Sequence, residues 1–283
     1  MTPAPLFALL LALAAWAAAG RPAAAQGFDL ARRADMPIEV YADDGIEWSQ
    51  DGKSITARGN AKAVRGAVTV TADSLTAFYR DGGGNSEIFR LEAAGQVTIA
   101  SPKETATGAH ATYDLDKAMV VLTGAPARLV TPTDTVTARD RIEYWEKDRK
   151  AVAVGDAVAS RAERRIRADR LTAHFVEGRA GDLALSRADA VGDVTLRTAR
   201  EVVTGEKGDY DAESGIVTLT GSVKITRDDN QLNGGYALVN LNTGLSSLFA
   251  DPPGVKGGGG RRVKGLFVPE KKDQGAQTSN PAR

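Results

Sequence analysis

The sequence predicts an all-β fold in which many short antiparallel strands bend at corners and stack along one axis. Three observations carry that prediction. Apolar residues alternate with period 2, as at Val68, Val70 and Ala72 with Thr69 and Thr71 between them, the pattern of a strand with one buried face. No window after residue 50 shows the 3.6-residue apolar period of an amphipathic helix. The chain also contains an internal duplication, the signature of a stacked architecture.

VTVTADSLTAFY (Val68 to Tyr79) and RRIRADRLTAHF (Arg164 to Phe175) share A-D-x-L-T-A at an offset of 96 residues. The same offset lays Asp44-Gly45-Ile46-Glu47-Trp48 on Asp140-Arg141-Ile142-Glu143-Tyr144. One residue further on, Gly95-Gln96-Val97-Thr98 meets Gly192-Asp193-Val194-Thr195. The duplication spans Ile38 to Leu241. Glycines recur at Gly59, Gly95, Gly124, Gly155, Gly192 and Gly221, a period that fits stacked units unable to bury a face alone.

Within each copy the apolar phase slips once. Val68, Val70 and Ala72 give way after Asp73-Ser74 to Leu75, Ala77 and Tyr79. Ile166 and Ala168 give way in the same manner to Leu171, Ala173 and Phe175. A one-residue slip flips every side chain to the other face, so a bulge or corner at the aspartate keeps one side inward. Asp73 and Asp169 therefore read as corner residues rather than catalytic acids. Parity also places Ile38, Val40, Ile46, Trp48, Tyr113, Leu115 and Ile142 inward. Turns are marked at Gln50-Asp51-Gly52, Asp81 to Asn85, Asp228-Asp229-Asn230 and Asn242-Thr243-Gly244.

Two curved sheets then face each other across an apolar interior. Alanine at 72, 77, 168 and 173 is too small to close two sheets at the usual ~10 Å separation. Either the sheets approach unusually closely, or a groove remains between them, or the large residues Trp48, Tyr113, Tyr144 and Phe175 compensate locally. The expected size is about nine strands per sheet, roughly 40–45 Å at ~4.8 Å per strand.

The apolar run from Leu6 to Ala19 is shorter than the ~20 residues that span a bilayer. Followed by Ala23-Ala24-Ala25, it reads as a signal peptide, residues 1–25, cleaved after Ala25. The rest divides into a lead-in (26–36), one block (37–139), a second block (140–250), a glycine-rich linker (251–260), a terminal edge strand (261–269) and a polar tail (270–283). Charge is balanced, with 36 Lys+Arg against 36 Asp+Glu, which argues against a nucleic-acid partner. There is no cysteine, so an exported fate would not depend on disulfides.

The residues that could carry chemistry are sparse. His110 and His174 fall at unrelated places in the two copies, and the remaining carboxylate pairs sit in turns. No nucleophile motif or phosphate-cradling glycine loop precedes a helix. Catalysis, a metal and a cofactor are not expected; binding or scaffolding is.

Met36-Pro37-Ile38-Glu39-Val40-Tyr41-Ala42-Asp43, ITARGNAKAVRGAVTVTADSLTAFYR, GAHATYDLDKAMVVLTG and the closing RRVKGLFVP resemble the LptA/OstA-like family of periplasmic lipopolysaccharide-transport proteins. The resemblance implies a twisted, open β-jellyroll that holds lipid A acyl chains inside and stacks end to end into a bridge. It also implies partners at the two membranes, LptC-like and LptD-like jellyroll domains. By the same resemblance Ile38, Val40, Leu115 and Ile99 would face lipid. Typical members carry one such block, whereas this chain carries two. The alternatives are a structural or adhesive β-solenoid without cargo, and a carbohydrate-active β-fold enzyme, for which no carboxylate cluster recurs in phase.

Overall fold

The structure, a computed structural model, describes residues 37–82, 85–124, 126–178, 183–254 and 262–268. The expected signal peptide, lead-in and tail, and most of the glycine-rich linker, lie outside the described residues. The chain forms β1 (Glu39–Tyr41), β2 (Gly45–Ser49), β3 (Ser54–Arg65), β4 (Val68–Gly82), β5 (Asn85–Ala100), β6 (Thr105–Asp114), β7 (Met119–Thr123), β8 (Ala127–Val130) and β9 (Thr135–Ala138). It continues through β10 (Arg141–Trp145), β11 (Lys150–Arg161), β12 (Arg164–Glu177), β13 (Leu183–Arg197), β14 (Val202–Asp211), β15 (Ile216–Arg227), β16 (Asn230–Asn240), β17 (Leu245–Phe249) and β18 (Lys264–Leu266). No helix occurs among the described residues.

Neighbours in sequence pair antiparallel, and each long strand bends once. Where the ladder of β3 and β4 jumps from Arg58 to Ala61, Gly59 and Asn60 stand opposite Asp73 alone. The two bulged residues take left-handed φ values, 77° and 43°. The same step recurs at Gly95-Gln96, Gly155-Asp156, Gly192-Asp193 and Gly221-Ser222. At Gly95 and Gly192 the glycine has a second cause: a Cβ there would strike the carboxyl groups of Asp73 and Asp169. The slip in apolar phase thus marks a corner, as parity predicts, but the bulges that turn it lie on the neighbouring strands, opposite Asp73 and Asp169.

Each bend divides a strand into two arms, one in each of two facing walls. Short strands share a rung in pairs. β1 and β2 both pair with β3, β8 and β7 with β6, β9 and β10 with β11, and β18 and β17 with β16. The rungs run β1 with β2, β3, β4, β5, β6, β8 with β7, β9 with β10, β11, β12, β13, β14, β15, β16, and β18 with β17. That makes fourteen per wall, about 60 Å along the stack at ~4.8 Å each. This corrects the expected nine. A bulge of one or two residues serves as the corner where a separate-strand design would spend a whole loop.

The walls meet over one continuous apolar core. In the second copy small residues oppose large ones: Ala151 faces Tyr144 and Ala153 faces Ile142 on β10, and Ala190 faces Leu171. Tyr144 and Ala153 are fully buried. The first copy pairs small with large in the same way along its walls, Ala57 and Ala93 both with Leu75, so the difference between the copies lies in how closely the two walls approach, not in this pairing.

Candidate functional site

The first copy packs differently. Between its walls lies a cavity of about 260 Å³. Ala63, Val70 and Ile99 line one wall, and Ile55, Leu75 and Leu91 line the other. Its mouth is marked by Ile38, Val40 and Ile88, which are 38, 40 and 39 % exposed. The corresponding void in the second copy, beside Ile166 and Leu171, holds only about 30 Å³. The groove and the tight closure that alanine-rich walls allow are therefore both present, one in each copy.

Of the residues expected inward, Ile38, Val40, Val70, Leu75, Ile99 and Tyr113 line the cavity. Val68 is buried in the adjoining core. Ile142, Leu171 and Phe175 are buried in the second copy, with Ile166 packed against them. Ile46 and Trp48 share the inward face through their partners Ala57 and Ile55 but are 54 and 67 % exposed. Trp48 Nε1 donates to the Tyr79 hydroxyl at 3.0 Å. Leu115 departs from its expected place. It sits in the turn after β6, with its N–H on the Phe89 carbonyl, and does not line the cavity. Parity fails there because the strand ends at Asp114.

Ile88 was missed by the alternation. Counting back from Ala93 and Leu91 gives Phe89, yet a second register shift pairs Arg90 with Phe78 and Ile88 with Tyr79. Phe89 is the extra residue, and Ile88 turns inward. β13 repeats the step at Ser186, so the duplication held the signal.

Tyr113 lines the cavity together with the polar residues Thr76, Glu92 and Thr112. The Tyr113 hydroxyl is hydrogen-bonded to Glu146, and burial first, then that carboxylate, push its pKa up against the opposing effect of Arg65. A neutral phenol with its oxygen satisfied leaves its part of the lining uncharged at any physiological pH. Among the described residues no group of three or more His, Cys, Asp or Glu is placed to hold a metal.

Bent strands stacked into two walls, with an apolar cavity open at one end, define a β-stack suited to housing apolar chains. Comparison with known proteins makes this specific. The sequence model of the LptA/(LptD N-terminal domain) LPS transport protein family matches twice, over residues 39–146 and 139–245. The chain belongs to that family and carries two of its blocks in tandem. It is 35 % identical over 104 residues to an uncharacterized protein of Rhizobium meliloti (strain 1021), a match covering 35 % of this chain and 54 % of that protein. The chain thus spans about half the length of this curated relative. Among solved structures, LptH of Pseudomonas aeruginosa, the LptA homologous periplasmic component of its lipopolysaccharide transport device, aligns over 83 % of this chain and 97 % of its own. The identity is 12 % and the TM-score 0.22.

Proposed function

We propose that this protein is a periplasmic lipopolysaccharide-binding bridge, passing lipopolysaccharide from the inner to the outer membrane with lipid A acyl chains shielded between the walls. The observation that carries the reading is the 260 Å³ apolar cavity with its exposed apolar mouth. Each acyl methylene moved from water into such a lining gains about 0.8 kcal/mol. No reaction is required of the protein, only a surface that lowers the cost of carrying chains through water. Its partners in this reading are LptC-like and LptD-like jellyroll domains and further copies of itself, joined head to tail at the free edges of the stack. Backbone hydrogen bonds between edge strands supply such joints.

A photo-cross-linking residue at Leu75 is expected to capture lipopolysaccharide in cells, while one at the exposed Lys62 is not. Cross-linking at Lys62 alone would sink the reading. Leu171 is the informative third site. Its surroundings are closed, which favours a cargo-free structural role for the second copy, and capture there would show that the walls open to pass lipid.

A further inference from the structure

The second copy holds a cavity of another kind. About 530 Å³ in volume, it lies where the tips of the two walls approach each other. One wall supplies Arg164 at the start of β12, Arg200 and Glu201 in the turn before β14, and Arg227 at the end of β15. The other supplies the turn from Asn240 to Gly244, with Val239 and Leu241 at its apolar side. Three arginines thus stand against one carboxylate, and that carboxylate is already committed. Glu201 Oε2 accepts from Arg227 Nη2 at 2.8 Å and Oε1 accepts from the Ser246 hydroxyl. Among the described residues, neither Arg164 nor Arg200 forms an ion pair.

Arg164 is the more telling of the two. Its Nη2 donates to the Leu241 carbonyl at 2.9 Å, which ties the two walls together and fixes the guanidinium. Its Nη1 is buried and has no hydrogen-bond partner among the described residues. A buried donor left unpaired costs free energy that a bound acceptor would recover. A fixed guanidinium fork matches the oxygens of a phosphate. We propose that this cavity binds a phosphoryl group, with Arg164 as the fixed fork and Arg200 as the movable clamp. Two sources share that chemistry: a phosphorylated saccharide headgroup and a free diphosphate. The first rests on the transport reading above; the second does not.

The test uses the full chain labelled with ¹⁵N and titrated with pyrophosphate, with deacylated lipopolysaccharide saccharide, and with that saccharide after phosphatase treatment, all at constant ionic strength in chloride. Saturable shifts of the Thr243 and Gly244 amides and of the Arg164 side-chain N–H are expected with both phosphorylated probes. None is expected after phosphatase. Arg200→Glu lies on an exposed turn, so it leaves the fold intact and should weaken binding at least tenfold. Arg164→Lys keeps the charge and loses the fork, and should weaken it several-fold. Saccharide binding tighter than pyrophosphate identifies the headgroup as the source, and pyrophosphate binding alone identifies the free anion. Shifts that do not saturate, match those of chloride, or persist unchanged in Arg200→Glu overturn the site. Absence of binding while Leu75 still cross-links overturns this inference alone, and the reverse result overturns the transport reading alone.

Discussion

β2 and β10 are the same strand in two copies, and they meet opposite fates. Ile46 and Trp48 are 54 and 67 % exposed, whereas their counterparts Ile142 and Tyr144 are 2 and 0 % exposed. Side-chain chemistry does not explain the difference; position in the stack does. Among the described residues β2 has a strand partner on one side only, β3. β10 lies between β7 and β11, so Tyr144 is flanked by Val120 and Ala151, and Ile142 by Leu122 and Ala153. The end of one block seated on the start of the next is what buries the second pair. The free edge of β1 and β2 presents the surface that β9 and β10 present to β7 and β8. The molecule thereby contains, once and internally, the head-to-tail contact proposed for its bridge.

Truncating the two aromatics breaks the comparison most forcefully. Tyr144→Ala removes a fully buried ring and should lower unfolding free energy in urea by about 4 kcal/mol. Trp48→Ala removes an exposed ring and one hydrogen bond, with an expected loss of about 1 kcal/mol or less. Equal losses would mean that the end rung is already covered in the isolated chain.

The turns repeat the contrast between copies. Ser101-Pro102-Lys103-Glu104 and Thr198-Ala199-Arg200-Glu201 are equivalent, and both glutamates are buried. Glu201 has Arg227. The ladder of β6 and β8 ends at Thr105 and Val130, the next residue after β8 is Thr131 rather than an arginine, and among the described residues both Glu104 carboxyl oxygens are buried without a hydrogen bond. Burial pushes its pKa from 4.5 up to about 9, with Lys103 opposing weakly. The folded state then holds a proton that the unfolded state releases above about pH 4.5, so stability falls as pH rises from about 4.5 to about 9. Near pH 7 the penalty is about 3 kcal/mol. Glu104→Gln should remove most of that slope and match the parent at pH 4. Parallel stability-pH curves would show the carboxyl to be solvated or paired.

Much of this architecture was legible in the chain. The period-2 alternation, the offset of 96 and the phase slip at Asp73 and Asp169 are local features, and local features survive in sequence. What escaped depends on neighbours distant along the chain. Trp48 and Tyr144 cannot be told apart by pattern, because burial is decided by whether another rung follows. Leu115 kept the parity of Tyr113 but lay past the strand's end. Ile88 was hidden by a second bulge. The arginine cavity joins residues 164, 200, 227 and 240–244 from opposite walls, and no spacing rule connects them. Glu104 reads as an ordinary turn acid until its missing partner is seen.

The corners allow a smaller test of the same repeat. Gly95→Ala and Gly192→Ala each place a side chain at a left-handed φ, 78° and 81°, against the carboxyl of the corner aspartate. Each should cost about 2 kcal/mol. If the walls of the second copy hold its corner more firmly, thermal unfolding should be cooperative in both variants but begin earlier in Gly95→Ala. A substitution without cost at either site would mean that the bend does not depend on glycine.

The smallest effect on the fold, and the sharpest on assembly, is expected at the far end. β18 pairs with β16 through Lys264, Gly265 and Leu266, completing the last rung beside β17. It therefore returns to its own sheet as half of a terminal rung, with its outer edge unpaired among the described residues. Leu245, Leu266 and Phe267 there are 66, 57 and 70 % exposed, an apolar edge comparable to that of Ile46 and Trp48 at the start. Exposed strand edges of this kind invite pairing, and because the two ends differ, pairing between them propagates into open filaments instead of closing. Deleting residues 261–283 removes β18 and leaves β17 and the core in place. Circular dichroism and unfolding midpoint should change little. Concentration-dependent association in sedimentation should fall sharply. If the truncated chain associates as strongly as the full one, the joint lies on β17 or elsewhere, and the analogy between the internal junction and the bridge fails at this end.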